Sequence, residues 1–453
     1  MISLQLSEAS KAISGQLSGE DSSFVGVGTD TRTLLRGQLF FALIGERYDG
    51  HDMLEEARIN GAAGAVVANK DESVGLAQIE VLDPLFALGL LAKFWRKKFS
   101  TPVIGVTGSA GKTTVKEMLA SILQKLGPTL VTSENMNNEI GLPLTLMRLN
   151  EESKAVVLEM GASKSGDIDY LAKIAEPDIG VITLCSPAHL SGFGTIENIA
   201  RTKGELISSL PENGAAILNS DDSYFDYWHK LAGSRKVISF GESGDVSAGR
   251  KELNYKNSFD LNFSGQLARV SIQHLGSHNI NNALAAAASA FAIGISATDV
   301  SQGLADASPV PHRLYPIRGK HRLDILDDSY NSNPFALKVA LEVLKVYEGA
   351  KWVVLGDMNE LGEFSEDFHR QAATMLQEVG VERLFTIGDK AATIGEFFSG
   401  ESEHFQKHTL LINRLSNILK MSQKNICLLV KGSRSMKLER IVDAFSSLEI
   451  QEC

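Results

Sequence analysis

Short apolar runs alternate with stretches of helical spacing along the first hundred residues, and Gly-rich turns separate them. The runs over 37–44 and 64–68 are typical of buried strands. Residues 54–60 and 85–98 have the spacing of helices that bury one face. This part of the chain is therefore predicted to be a small α/β unit.

The same alternation continues to the end of the chain. An Ala-rich helix is predicted from Asn279, and the segment with Pro309 and Pro311 is interpreted as a hinge. Because strands that alternate with helices form mainly parallel sheets with helices on both faces, an α/β fold follows. Buried strands are predicted before the hinge at 101–107, 155–160, 179–184 and 215–219, and after it at 323–326, 352–355, 384–387 and 426–430.

Composition narrows the class of protein. The chain has 453 residues, a net charge of −11 and an apolar fraction of 43%. About three domains are expected at this length, and no basic field is available for nucleic acid. Cys185, Cys427 and Cys453 are scattered, as expected of reduced thiols. The N-terminal residues show no signal peptide, and the longest apolar stretch, 283–295, is too short to span a bilayer, so no membrane insertion is expected.

A Gly-rich loop follows the strand over 101–107 and precedes a helix predicted over 112–125. In such a loop, backbone N–H groups, the helix N-terminus and a lysine can hold phosphates, and a following threonine can bind Mg²⁺. The usual pattern begins with a glycine, but Val106 stands at that position. A helix N-terminus that is merely capped by small residues is the alternative. The candidate phosphate loop consists of Thr107, Gly108, Ser109, Ala110, Gly111, Lys112, Thr113 and Thr114.

This loop resembles that of the Mur ligases, the cytoplasmic bacterial enzymes that extend the peptidoglycan stem peptide, whose loop also lacks the first glycine. The match runs from Asp30 to Arg434 and is closest to the member that joins D-alanyl-D-alanine to UDP-N-acetylmuramoyl-tripeptide. Further matching stretches, in the same order, are 135–143, 189–194, 203–205, 276–283, 327–334, 356–362 and 431–435.

The resemblance implies an ADP-forming ligase that makes the UDP-muramoyl-pentapeptide through an acyl phosphate. It also implies three domains: residues 1–100 for the UDP substrate, a central P-loop domain over 101–312, and a Rossmann-like domain over 313–453. The last domain would close on ATP and bind the dipeptide. A monomer is expected.

Five residues are candidates for catalysis or for binding Mg²⁺. Lys112 would neutralise phosphate charge. Glu159 ends a strand where ligands bind in α/β folds, so it is predicted to bind Mg²⁺ with Thr113; a pair with a base is the alternative. The resemblance implies that His189 binds a second metal ion and that Lys203 is carbamylated by CO₂ and helps to hold Mg²⁺. The alternatives are a structural histidine and a surface lysine paired with Glu205.

The remaining candidates contact ATP or the other substrates. The resemblance assigns adenine contact to Asn279 and Asn282; helix capping by Asn279 is the alternative, and the two roles are compatible. It places Arg313 and Asp328 on ATP from the far side of the hinge. For UDP the predicted residues are Asp30, Thr31, Arg32 and 45–51, and a solvated turn is the alternative for 29–33. Asn137 and Asn138 are predicted to face the substrate in the central domain. The residues predicted to lie near the dipeptide are Asn331, Ser332, Asn333, Asp357, Glu360, Ser433 and Arg434.

Three other functions are compatible with a phosphate loop. One is a related ligase, such as folylpolyglutamate synthetase or an earlier Mur enzyme, against which the stretches 327–334 and 431–435 argue. A P-loop kinase should lack the long third zone and the set of Glu159, His189 and Lys203. A nucleotide-binding switch without catalysis is the third.

Overall fold

The computed structural model describes residues 1–45, 47–187, 190–253, 257–320, 322–359 and 361–446, without the side chains of residues 190, 191 and 363. These residues form a small antiparallel pair of strands and three larger sheets, and each larger sheet comes from one stretch of the chain.

The N-terminal stretch forms a five-stranded sheet in the order β2-β7-β6-β5-β4, in which only β2 is antiparallel. Helix α3 begins sharply because Asp83 accepts from the N–H groups of Leu85 and Phe86, with Pro84 in the first turn. The elements are β1 (Ser3–Gln5), α1 (Leu6–Ala12), β2 (Gln16–Ser18), β3 (Ser23–Val25), β4 (Val27–Gly28), β5 (Leu39–Phe41), a 3₁₀ turn (Gly50–Met53), α2 (Leu54–Ile59), β6 (Gly64–Val67), β7 (Gln78–Glu80) and α3 (Pro84–Arg96).

The central stretch forms a nine-stranded sheet in the order β16-β15-β14-β13-β12-β11-β8-β10-β9. Strands β8 to β14 are parallel, and the hairpin β15–β16 extends one edge in antiparallel fashion. The elements are β8 (Val103–Thr107), α4 (Lys112–Leu123), β9 (Thr129–Val131), α5 (Gly141–Leu146), β10 (Ala155–Glu159), α6 (Asp167–Ala175), β11 (Ile179–Ile182), α7 (Leu190–Phe193), α8 (Ile196–Ser208), β12 (Ala215–Asn219), α9 (Phe225–Ala232), β13 (Lys236–Phe240), β14 (Val246–Ala248), β15 (Asn257–Phe263), β16 (Gln266–Ile272), α10 (His278–Ala292) and α11 (Ala297–Asp306).

Alternation along the central strands divides this sheet into two buried faces. Ile104 and Val106 of β8 belong to the hydrophobic cluster of α4, α10 and α11. Val103 and Val156 belong to a second cluster, which contains α3, α5 and α6. Successive side chains of a strand point to opposite faces, so the apolar run predicted for a parallel sheet covers both of them.

The C-terminal stretch forms a six-stranded sheet in the order β17-β18-β22-β19-β20-β21, parallel except for β17. Its elements are β17 (Tyr315–Arg318), β18 (Leu323–Asp328), α12 (Pro334–Lys345), β19 (Ala350–Gly356), a 3₁₀ turn (Gly362–Phe364), α13 (Ser365–Val379), β20 (Arg383–Ile387), α14 (Ala392–Phe397), β21 (Glu401–Phe405), α15 (His408–Met421), β22 (Ile426–Lys431), a 3₁₀ turn (Arg434–Met436) and α16 (Glu439–Phe445).

The predicted α/β class is confirmed, and each predicted strand and helix overlaps an element of the same type. The hairpin β15–β16 was not predicted. Its alternating polar and apolar residues are a weaker sequence signal than the continuous apolar runs of the parallel strands. The domain boundaries at 100 and 312 stay predictions, because hydrophobic contacts cross both of them. One hydrophobic cluster joins α3 to the central sheet, and Leu275 packs with the C-terminal cluster. Within the described ranges, no helix has the length and apolarity needed to cross a membrane.

Candidate active site

A cleft of about 1110 Å³ lies between the carboxyl ends of the central strands and the C-terminal sheet. Its volume exceeds that of most pockets for a single small ligand. It contains the predicted residues Gly108, Ser109, Ala110, Gly111, Lys112, Thr113, Thr114, Asn137, Asn138, Glu159, Lys203, Asn279, Asn282, Arg313, Asp328, Asn331 and Asn333. The fold therefore brings residues from widely separated parts of the sequence to one cavity.

The candidate phosphate loop connects β8 to α4 and needs glycine at two positions. Gly111 has φ +82° at the start of α4, and a Cβ there would lie 2.5 Å from Asn282 Oδ1. Gly108 has φ +152°, and a Cβ there would overlap the hydroxyl of Thr183. Only glycine adopts these conformations without strain, so the loop backbone stays close to its neighbours.

The segment that follows β11 supports this loop from the side. The hydroxyl of Thr183 donates to the carbonyl of Ala110 at 2.6 Å, and Ser109 Oγ donates to the carbonyl of Ser186 at 2.9 Å. The Ser109 backbone N–H donates to the carbonyl of Leu184 at 2.9 Å. Thr183 was not predicted as a site residue, because only the pairing of β11 with β8 brings it next to the loop.

Glu159 lies at the end of β10, beside the loop, and it is buried. Its Oε2 accepts from Thr113 Oγ1 at 2.8 Å, and its Oε1 accepts from Asn137 Nδ2 at 2.8 Å. Among the described residues these hydrogen-bond partners are a hydroxyl and an amide, and no ion pair of Glu159 with a base is found there. Hydroxyl and carboxylate oxygens are ligands that suit Mg²⁺, which usually binds one or two carboxylates together with substrate phosphates. The two side chains therefore fit that ion.

Arg313 reaches this pair from the hinge. Its Nη2 donates to Thr113 Oγ1 at 3.0 Å, and its guanidinium carbon lies 4.3 Å from the ring centre of Tyr330. The neighbouring residues His312 and Leu314 have φ values of +64° and +50°, which non-glycine residues rarely adopt. The backbone thus turns sharply on both sides of Arg313, just after the predicted hinge, and the Arg313 side chain points at the phosphate loop.

Lys112 and Lys203 place two amines in the same cleft. Burial lowers the pKa of Lys112, and Arg313 lowers it further, while Glu159 opposes the shift. Lys203 is 4% exposed, and burial and then the charge of Lys112 lower its pKa to about 7. The alternative of a surface lysine paired with Glu205 is wrong, because Glu205 accepts from the backbone N–H groups of Gly166 and Asp169.

The start of α10 forms the opposite wall beside Gly111. Asn279 Nδ2 donates to the carbonyl of Leu275 at 2.6 Å, and Asn282 Nδ2 donates to Asn279 Oδ1 at 2.8 Å. Ser277 is the N-cap residue, so the alternative that Asn279 caps the helix is wrong. His278 also lines the cleft, and burial lowers its pKa to about 4.

Asp328 lies at the end of β18 and forms an ion pair with the buried Lys431, at the end of the neighbouring strand β22. Lys431 Nζ also donates to the carbonyl of Asn331 at 2.9 Å. Lys431 lines the cleft, although it was only noted as part of a matching stretch. The pair forms because β18 and β22 are neighbouring strands in the sheet. The periodicity of the sequence does not show which strands are neighbours.

Several predicted residues do not line the cleft. Arg32 pairs with Asp30 at 2.6 Å on the surface of the N-terminal sheet and is 84% exposed. Ser433 Oγ accepts from the N–H of Asn359, and Arg434 donates to Glu439. Thr107, Thr31, Ser332 and Asp357 also lie outside the cleft lining. His189 and Glu360 are outside the described residues.

The fold and the site define a P-loop enzyme that uses a nucleoside triphosphate. Residues 23–96, 106–290 and 312–434 match, in that order, the models of the Mur ligase family catalytic domain, the Mur ligase middle domain and the Mur ligase glutamate ligase domain. The chain belongs to the Mur ligase family.

Individual relatives cover almost the whole chain. The UDP-N-acetylmuramoyl-tripeptide–D-alanyl-D-alanine ligase of Escherichia coli strain K12 is 40% identical over 98% of both chains. MurF from Acinetobacter baumannii superposes with a TM-score of 0.93, at 33% identity over 98% of both chains. MurF ligase from Thermotoga maritima, in complex with ADP, has a TM-score of 0.82 at 29% identity and covers 93% of this chain and 96% of its own.

Proposed function

We propose that this chain uses ATP to join D-alanyl-D-alanine to UDP-N-acetylmuramoyl-tripeptide. The observation that carries the proposal is the convergence of Lys112, Glu159 and Lys203 with Arg313 of the hinge in one cleft. The full-length relatives named for this ligation support the choice of substrates.

The cleft offers what phosphoryl transfer to a carboxylate needs. The γ-phosphoryl group of ATP passes to an oxygen of the tripeptide carboxylate, which leaves ADP and an acyl phosphate. Lys112 and Arg313 lie where they can neutralise charge on the transferred group. The free amine of the dipeptide then attacks the acyl carbon, and the tetrahedral intermediate expels phosphate as the amide forms.

Thr113 and Glu159 would hold Mg²⁺. When bound, this ion supplies positive charge to the phosphate oxygens. The chain contributes the hydroxyl and the carboxylate, which hydrogen bond to each other at 2.8 Å beside the loop. His189 stays a predicted ligand of a second metal ion.

Carbamylation of Lys203 is part of the proposal, because the reaction of an amine with CO₂ requires its neutral form. With a pKa of about 7, about half of the Lys203 amine is neutral at pH 7, whereas an ordinary lysine is almost fully charged. Lys203 also lines the cleft, beside the phosphate loop.

The variant Lys203→Ala tests the carbamate. We expect it to lose activity and to regain part of it with added short carboxylic acids, which can replace the missing carboxylate. Full activity of the variant without added acid would contradict this role.

The experiment that tests the proposed function measures phosphate release with each substrate alone and with both together. We expect release only when ATP, UDP-N-acetylmuramoyl-tripeptide and D-alanyl-D-alanine are all present. Phosphate transfer without the dipeptide would favour a kinase, and nucleotide binding without any turnover would favour a switch. Turnover with a folate and glutamate would favour folylpolyglutamate synthetase.

The remaining assignments extend this proposal. The N-terminal sheet, with Asp30, Thr31 and Arg32, would bind UDP, Asn138 would face the tripeptide, and Asn279 and Asn282 would contact adenine. Asn331, Asn333, Ser433 and Arg434 would lie near the dipeptide once the C-terminal sheet closes on ATP. We also propose domain boundaries at 100 and 312, a monomer, and a bacterial cytoplasmic location.

A further inference from the structure

The carboxylate of Glu159 is held through both of its oxygens. Oε2 accepts from the hydroxyl of Thr113, which faces the phosphate loop, while Oε1 accepts from the side-chain amide of Asn137. The backbone N–H of Glu159 donates to Thr132 Oγ1 at 3.0 Å, so the strand end is fixed as well. The carboxylate plane therefore has one orientation relative to the loop.

The amide of Asn137 is itself fixed by the segment that follows Glu159. The backbone N–H of Gly161 donates to the backbone carbonyl of Asn137 at 2.8 Å, which holds the two segments together. A Cβ on Gly161 would lie 2.8 Å from Asn137 Oδ1 and 3.2 Å from Nδ2, so the amide packs directly over the glycine backbone. Any larger residue at position 161 would displace the amide from Glu159.

We propose that Asn137 is a positioning residue, whose amide orients Glu159 so that Oε2 is presented to Thr113 and to Mg²⁺. This inference rests on the proposed use of Mg²⁺ with ATP. An amide can donate to Oε1, whereas a carboxylate at position 137 would repel Glu159. When both Thr113 and Glu159 bind a cation, the bond from Asn137 still fixes the second carboxylate oxygen.

The expected effect follows from the behaviour of groups that hydrogen bond to metal ligands. Loss of such a partner weakens metal affinity about 10- to 100-fold. Asn137→Ala removes the amide, and Asn137→Leu removes the donor while it keeps most of the side-chain volume. Asn150→Ala is a matched control, because in the part of the chain that the structure describes the Asn150 side chain accepts only from residues of its own exposed loop, outside the cleft.

The test is a calorimetric titration of ADP into each purified full-length protein, in EDTA and at a series of Mg²⁺ concentrations. In EDTA, both Asn137 variants should bind ADP within about twofold of the unmodified chain. The Mg²⁺ concentration that half-saturates the gain in ADP affinity should rise about 10- to 100-fold in both variants and stay unchanged in Asn150→Ala.

The outcomes separate this inference from the proposed function. If Mg²⁺ does not affect ADP binding by the unmodified chain, the proposed function fails. If Mg²⁺ acts normally on the unmodified chain and equally on both Asn137 variants, the positioning role is overturned. An equal loss of ADP affinity with and without Mg²⁺ would also overturn the positioning role, since that result indicates a general structural role. If Asn137→Ala does not fold, the same measurements on Asn137→Leu decide the question.

Discussion

The substitution Gly111→Ala tests whether the phosphate loop must keep the backbone that the structure shows. Gly111 has φ +82°, and an added Cβ would lie 2.5 Å from Asn282 Oδ1, closer than real Cβ contacts allow. The left-handed conformation costs a residue with a Cβ about 1–2 kcal/mol. Displacement of the Asn282 side chain also endangers its hydrogen bond to Asn279, a loss of about 0.5–1.5 kcal/mol.

Together these costs amount to about 1.5–3.5 kcal/mol. If the variant loop relaxes in the free protein and must return to this backbone to hold phosphates, ADP binding weakens roughly 10- to 300-fold, at about 1.4 kcal/mol for each factor of ten. Isothermal titration calorimetry with ADP measures this change directly.

Gly265→Ala is the matched control for backbone strain. Gly265 has a similar φ of +79° in the turn between β15 and β16, and an added Cβ would meet nothing within 4 Å. We expect that variant to lose some stability and to bind ADP normally. If Gly111→Ala binds ADP as tightly as the unmodified chain does, the loop does not need this backbone, and the reasoning is refuted.

Two further predictions concern stability. Lys431→Met should destabilise the protein by about 1–3 kcal/mol, because it leaves the partly buried carboxylate of Asp328 without its charged partner, and thermal unfolding would measure the loss. Burial lowers the pKa of His274 to about 4 from 6.5, so the unfolded chain binds more protons than the folded chain between these values. Stability should therefore fall as the pH decreases from 6.5 towards 4, and His274 alone accounts for about 2 kcal/mol at pH 5. Chemical denaturation at pH 8 and at pH 5 measures this difference, and His274→Leu should remove the part that is due to His274.

Both predictions have controls on the protein surface. Arg58→Met breaks the exposed pair with Glu55 and should change stability by less than about 1 kcal/mol. His229→Leu replaces an exposed histidine and is the control for the His274 substitution. A Lys431→Met protein as stable as the Arg58→Met protein, or equal pH dependence for the two histidine variants, would contradict the respective argument.

The phosphate loop could be predicted from the sequence because its signal is local. Gly108 and Gly111 lie within a few residues of Lys112 and Thr113, between a β-branched strand and a helix, and all of them are predicted to act on one ligand group. Glu159 could be predicted for a related reason, since a carboxylate at the end of a buried parallel strand lies at the edge where ligands bind.

Contacts between distant segments could not be predicted in this way. Periodicity describes which face of an element is buried but not which strand is its neighbour, so Thr183 and Lys431 were not recognised as site residues. The sequence indicated Asn137 only as a substrate contact. The hydrogen bond from its amide to Glu159 depends on how the loop that contains Asn137 packs against Gly161.

The sequence by itself determined the α/β class, the phosphate loop and, through its matching stretches, the resemblance to the Mur ligases. Those features depend on the spacing of residues along the chain, and that spacing can be read directly from the turn residues and the side-chain periodicity. Only the tertiary structure decided that Lys203 is buried beside Lys112, with a pKa of about 7, and that Arg313 contacts Thr113. Burial and charge proximity arise when distant strands and the hinge come together, and no local pattern encodes those distances.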